Sequence, residues 1–224
     1  MRKKISFYRS FVFLFFLVML FVNLDFARQE KGDSNLDKKV KKFLENQRGY
    51  WYDMNVPTSD GKVLFDLIIK HKYKKALDIG TSTGHSAIWI AWALSKTGGK
   101  LVTIEIDESR YKEALANFKE AGLWEYIDAR LADAHQLVPQ LQGPFDFVFC
   151  DADKGWYKNY FVAVLPKLEV GGCYTAHNVS MGSGYRMSGI KEFLDHVKSL
   201  TNVETTIVNS SSSGISLSYK RSHK

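Results

Sequence analysis

From Lys74 to the end of the chain, short apolar runs alternate with segments of helical periodicity, and this alternation restricts the fold more than any other feature. Strands are expected over Ala76–Ile79, Leu101–Ile106, Ile127–Leu131, Phe145–Cys150 and Gly172–Ala176. Helices are expected over Ser86–Ser95, Ser109–Ala121, Ala134–Leu141, Trp156–Leu168 and Ile190–Leu200. Each helix supplies the long return path that a parallel pair of strands needs, so the helices come to cover both faces of one sheet. The last two runs, Glu204–Val208 and Ile215–Tyr219, are separated only by NSSSSG, which suits a hairpin and reverses the final strand. The expected architecture is α/β: a doubly wound, mostly parallel seven-stranded sheet with an antiparallel last strand and helices on both faces.

Length and charge agree with one such domain. The 224 residues leave no room for separate full-sized cofactor and substrate domains. The formal charge of +7 is not spread along the chain: residues 1–49 carry 11 basic and 5 acidic side chains, while the remainder carries 20 and 19. The body is close to neutral, which argues against a nucleic-acid groove. Cys150 and Cys173 each lie inside an apolar run, so they are expected to be buried free thiols.

The basic excess sits around an apolar segment. Met1–Lys4 is basic and Phe11–Val22 is an unbroken apolar run, the pattern of an export signal. Residues 1–27 therefore read as a signal peptide or an uncleaved N-terminal membrane anchor. Asp25 stands where signal peptidase favours a small residue, which keeps the anchor in contention. Membrane association or export follows, or a cytoplasm-facing domain if the leader is not used for export. Residues 28–50 read as a linker and an amphipathic helix: Leu36, Val40, Phe43 and Leu44 share one face, four lysines occupy the other, and Ser34 with Asp37 resembles a capping box. Residues 51–224 form the main domain.

In an open α/β sheet, ligands sit beyond the carboxyl ends of the strands. The first such end reads Asp78-Ile79-Gly80-Thr81-Ser82-Thr83-Gly84-His85-Ser86, a tight glycine loop opening a helix. It lacks the third glycine of the dinucleotide fingerprint and carries a carboxylate, Asp78, that would repel a pyrophosphate. A positively charged cofactor such as S-adenosylmethionine would be attracted instead, and a Rossmann-like nicotinamide enzyme is disfavoured. Glu105, ending the second strand, can accept hydrogen bonds from ribose hydroxyls. The third strand ends in Ala132-Asp133-Ala134, the fourth in Asp151-Ala152-Asp153-Lys154 and the fifth in His177-Asn178. Trp89, Trp92, Trp156 and Tyr157 are expected to pack helices on the sheet, and His85, His135 and His196 to be structural or exposed. Met181, Tyr185 and Arg186 fall in a glycine-punctuated loop where a substrate lid is expected.

The segment from about Asn55 to Tyr219 resembles the cation-dependent O-methyltransferases of the caffeoyl-CoA and catechol type. It does so through NVPTSDGKVL (55–64), LDIGTSTGHSA (77–87), IEID (104–107), DADKGWYKNY (151–160), VGGCYTAHN (170–178) and SGISLSYKR (213–221). The resemblance implies an S-adenosylmethionine-dependent enzyme that methylates a hydroxyl, phenolic by analogy, of a small molecule, often as a homodimer. It places Val56, Asp78, Gly80, Thr81, Ser86, Glu105, Ala134, Asp153 and Tyr160 around the cofactor. It makes Lys154 the group that helps deprotonate the substrate hydroxyl, and Asp151 and Asn178 metal ligands.

The chain departs from that family at His177, where an aspartate is usual. Imidazole in place of a carboxylate weakens a site for Mg²⁺ or Ca²⁺ and favours a borderline metal, or no metal. Two mechanisms follow. In one, Asp151, His177 and Asn178 hold a divalent metal and Lys154 assists proton removal; in the other, His177 is itself the general base. A third reading is a catalytically inactive, membrane-tethered binding module that keeps the fold, since S-adenosylmethionine is a cytosolic donor.

Overall fold

In the computed structural model, residues 35–49, 51, 54–180 and 188–223 are described, with the side chain of residue 188 excepted. Helix α1 (35–46) precedes α2 (Thr58–His71), and the alternation then runs β1 (Lys75–Ile79), α3 (His85–Thr97), β2 (Lys100–Glu105), α4 (Glu108–Ala121), β3 (Ile127–Leu131) and α5 (Ala134–Gln140). It continues through β4 (Phe145–Cys150), α6 (Tyr157–Val164), β5 (Leu168–His177), α7 (Ser188–Ser199), β6 (Val203–Val208) and β7 (Ile215–Lys220).

The seven strands form one sheet in the order β3-β2-β1-β4-β5-β7-β6. β1 lies parallel between β2 and β4, and β7 inserts antiparallel between β5 and β6. The antiparallel last strand is thus as expected, and it closes the sheet from within rather than at its edge. The order reverses direction at β1 and β4, so the carboxyl ends of these two neighbours open the crevice where a ligand fits.

Alternation along β4 shows why both faces must be covered. Phe147 and Phe149 join a core with α2, α3 and α4, whereas Val148 and Cys150 join a second core with α6 and α7. Strands buried on both faces read as continuous apolar runs, which is what made them legible. Cys150 and Cys173 are both buried and free, and burial pushes each thiol up to about 12.

Helix α1 buries Val40 and Phe43 and leaves Lys38, Lys39, Lys41 and Lys42 exposed, as its pattern requires. Asp37 faces α3. It accepts from Trp92 Nε1 at 2.6 Å and pairs with Lys96 at 2.5 Å, tying α1 to α3. Ser34 lies outside the described residues.

Helix α2 is an addition to the sequence reading, which assigned no element there. Its signal was present: Leu64, Leu67 and Ile68 recur at i, i+3 and i+4 and are buried. Strand β5 begins at Leu168, four residues before the expected start, and α6 is correspondingly shorter because Leu165–Lys167 forms a 3-10 turn around Pro166. Among the described residues no helix is long and apolar enough to cross a membrane. The apolar run 11–22 lies outside them, as do Met181, Tyr185 and Arg186.

Candidate active site

The loop after β1 is built to lie against the loop after β4. Gly80 has φ +103°, and a Cβ there would stand 2.5 Å from the Asp151 carbonyl oxygen, so only glycine fits. Beneath it, Thr103 Oγ1 donates to Asp78 Oδ2 at 2.8 Å, Ser86 Oγ donates to the same carboxyl at 3.3 Å, and Thr81 Oγ1 lies 2.6 Å from Thr103 Oγ1. Burial pushes the Asp78 acid up to about 8 against the pull of these hydroxyls, with Asp151 and Glu105 adding to the rise. The acid is therefore largely neutral at pH 7 and supports the loop from below.

Glu105 ends β2 with its carboxylate fixed by the backbone. Oε2 accepts from Ser82 N at 2.7 Å, and Oε1 accepts from Ile106 N at 3.0 Å and Asp107 N at 2.9 Å. A carboxylate has about four acceptor sites, so one remains on Oε2 for a ligand. The carboxylate lines a cavity of about 400 Å³ at the ends of β1 to β4, within the roughly 300–1,000 Å³ of small-molecule sites. Gly80, Ala134, Asp151, Asp153 and Tyr160 face the same cavity. With Asp133, four carboxylates line it against Arg110 and His135, an electrostatic environment suited to a cationic ligand. His135 stacks on Trp156 with ring centroids 3.9 Å apart, and its Nε2 is 3.3 Å from Asp153 Oδ2.

Beside this cavity, the ends of β4 and β5 carry a buried charge cluster. His177 Nδ1 is 2.9 Å from Asp151 Oδ2 and Nε2 is 2.8 Å from Asp60 Oδ2. Asp60 comes from the first turn of α2 and is fully buried. Ser210 Oγ donates to its Oδ1 at 2.5 Å and Ser211 Oγ to its Oδ2 at 2.7 Å, both from the β6–β7 connection. Lys154 Nζ donates to Asp151 Oδ1 and, at 2.8 Å, to the Tyr157 hydroxyl. Tyr157 OH in turn lies 3.2 Å from the His177 carbonyl oxygen.

Two carboxylates facing the two ring nitrogens decide the protonation state of His177. Burial alone would lower its pKa, but Asp151 and Asp60 outweigh burial and raise it to about 9. Burial would likewise raise both aspartates, and their donors, His177 foremost, hold them below the usual carboxylate value. The two carboxylates thus favour the imidazolium, the form in which both ring nitrogens donate.

Residues 29–187 match the O-methyltransferase family. The chain belongs to that family. A catechol O-methyltransferase of Niastella koreensis is 38% identical over 130 residues, which are 56% of this chain and 58% of that protein. The chain thus matches little more than half the length of that relative. The fold recurs over most of two solved O-methyltransferases. One, from Bacillus cereus and in complex with SAH, has TM-score 0.71 and 27% identity, covering 82% of this chain and 91% of that one. The other, TomG from Streptomyces achromogenes in complex with SAM, has TM-score 0.72 and 27% identity, covering 82% and 90%.

Against the expectations for an O-methyltransferase, the strand ends bring Gly80, Glu105, Ala134, Asp151, Asp153 and Tyr160 together around one cavity. Asp78, Thr81 and Ser86 are buried below the loop and do not line it. Val56 is packed in the core, its carbonyl 2.7 Å from His85 Nδ1. His177, the candidate general base, has both ring nitrogens turned to carboxylates, Nδ1 to Asp151 and Nε2 to Asp60, and neither faces the cavity. With both of its ring nitrogens on carboxylates, His177 directs none at a metal shared with Asp151 and Asn178, so the set as arranged does not fit one. Among the described residues no group of three or more His, Cys, Asp or Glu is arranged to hold one. Asn178 is half-buried in left-handed backbone with φ 58°.

Several contributors were missed. Nothing local marks Asp60, and Ser210 and Ser211 fall in a short polar connection; what distinguishes them is that both serines meet Asp60 and Asp60 meets His177. His135, expected to be structural or exposed, lines the cavity, and Trp156 stacks on it. Tyr157 packs in the core as expected, and its hydroxyl also enters the charge cluster. His85 is structural as expected: Trp89 Nε1 donates to its Nε2 at 3.0 Å, and burial lowers its pKa to about 4.

Proposed function

We propose that this protein transfers a methyl group from S-adenosylmethionine to a hydroxyl of a small aromatic molecule, with adjacent-dihydroxy aromatics as the substrate class. The observation that carries this reading is the acid-lined cavity, where Glu105, Asp133 and Asp153 suit a ligand bearing ribose hydroxyls and positive charge. S-adenosylmethionine, when bound, supplies a methyl carbon on a positively charged sulfur.

The chain must align a nucleophile with that carbon and favour its deprotonated form. A phenol has a pKa of about 10 by analogy with tyrosine, so at neutral pH it needs help to lose its proton. Lys154 stands at the border between the cavity wall at Asp151 and the buried cluster. Two of its N–H groups are used by Asp151 and Tyr157, and the third remains for the acceptor oxygen. In this role the Lys154 ammonium donates its third N–H to the acceptor oxygen and favours its phenolate, whose proton leaves to solvent water, while Tyr157 and Asp151 fix the amine in place.

Calorimetry of the purified full chain with S-adenosylmethionine, followed by a labelled-methyl assay with catechol, tests the reading. Saturable binding with transfer supports it. Binding without transfer to any dihydroxy aromatic would favour an inactive binding module, and absence of binding would refute the cofactor assignment. In the same reading, residues 1–27 tether or export the domain; cell fractionation with and without them tests that part, as does sedimentation for a homodimer.

A further inference from the structure

The two carboxylates of the strand-end cluster are engaged by the chain's own donors. Asp60 accepts from His177, Ser210 and Ser211, with Ser59 Oγ 3.5 Å from its Oδ1; Asp151 accepts from His177 and Lys154, and the one Tyr157 hydroxyl proton is shared between Asp151 Oδ1 at 3.4 Å and the His177 carbonyl at 3.2 Å. A carboxylate offers about four acceptor sites, so the donors fill Asp60 and leave Asp151 one or two. A hard divalent cation demands six or more oxygens at about 2.0–2.6 Å. Here the imidazole ring spans the space between the carboxylates, with nitrogen to oxygen distances of 2.8 and 2.9 Å.

Neither side of the bridge can swing aside cheaply. Asp60 is fully buried, His177 is 3% exposed, and the partners come from α2, β4, β5 and the β6–β7 connection. The charges also close: the two carboxylates face the His177 ring and the Lys154 amine. A buried divalent ion added to this set would leave an uncompensated positive charge, which is costly in a low-dielectric interior.

We infer that the His177 ring, clamped between Asp60 and Asp151, fills the space between the strand-end carboxylates, and that the site works without a divalent metal. The catalytic half of this inference rests on the methyl-transfer reading; the metal-binding half does not. A side chain of the protein cannot be removed by a chelator. It also presents no open coordination position, so Lys154 alone contacts the acceptor oxygen, and Asp60 acts as a positioning residue through His177.

The test titrates Mn²⁺ into the purified full chain and follows the electron paramagnetic resonance signal of the free ion. The wild-type protein is expected to leave that signal undiminished, and its methyl-transfer rate after dialysis against EDTA to stay within about twofold. His177→Asp removes the ring and adds a third carboxylate. It is expected to bind Mn²⁺ stoichiometrically and to melt higher in its presence. Stoichiometric Mn²⁺ binding by the wild type that disappears in Asp151→Asn would overturn the inference, as would activity lost to EDTA and restored by Mn²⁺. Should His177→Asp fail to fold, the wild-type titration still decides. A chain that binds neither Mn²⁺ nor S-adenosylmethionine would refute the proposed reaction while supporting the metal-free cluster.

Discussion

Asp60→Asn is the substitution that most directly probes the charge cluster, because it keeps the shape of the side chain and removes one of the two charges that hold His177 protonated. The rise of His177 from 6.5 to about 9 corresponds to about 3.4 kcal/mol at 1.36 kcal/mol per pH unit. Since burial opposes the rise, the two carboxylates together supply at least that much, and Asp60 on the order of half, about 2 kcal/mol. Breaking one partner of a buried pair typically costs about 3–5 kcal/mol in total, because the other partner is left uncompensated. The variant is therefore expected to be less stable than wild type by about 3 kcal/mol at pH 6.5.

That cost must depend on pH. A histidine whose folded pKa lies above its unfolded value stabilises fully below the unfolded pKa, and this stability is lost as pH rises through the folded value. Between pH 6.5 and about 9 the wild type gives up its His177 contribution, so the difference between the two proteins shrinks by about 2 kcal/mol by pH 10. Urea melts at half-unit pH steps, followed by tryptophan fluorescence, read this difference. Asp66→Asn, on the exposed face of the same helix, serves as control and is expected to change stability by less than about 0.5 kcal/mol. A penalty for Asp60→Asn that stays flat from pH 6 to pH 10 would show that His177 is neutral and would refute the argument.

Three further outcomes follow from the cavity and its supports. Asp78→Asn is expected to lose less stability than wild type between pH 4 and pH 8 in urea melts. An acid whose folded pKa is raised costs stability as pH climbs from its unfolded to its folded value, and asparagine removes that titration. Glu105→Ala should weaken S-adenosylmethionine binding about 10- to 100-fold by calorimetry, the loss of one charge-assisted hydrogen bond of about 1.5–3 kcal/mol. Gly80→Ala should abolish that binding and lower the melting temperature, since the added Cβ collides with the Asp151 backbone at 2.5 Å in left-handed conformation; a variant that binds normally would count against the close approach of the two loops.

Local pattern was enough to determine the βα alternation, the hairpin that turns the last strand, the buried cysteines and the lysine face of α1, because each follows from the period of apolar residues or from turn chemistry within a few positions. The same is true of the polar residues at strand ends, which stand out against the apolar runs before them. Helix α2 was legible too, in Leu64, Leu67 and Ile68, and was passed over. Tertiary packing alone decided which of those strand-end groups face the cavity and which, like Asp78, Thr81 and Ser86, turn beneath it. It also decided the state of His177. Asp60 lies 117 residues away in sequence, and Ser210 and Ser211 lie 150 and 151 residues from Asp60. No spacing rule connects positions so far apart; only the folded sheet brings α2 against the His177 ring and the β6–β7 connection against Asp60, so that both nitrogens of a candidate base or metal ligand come to face carboxylates.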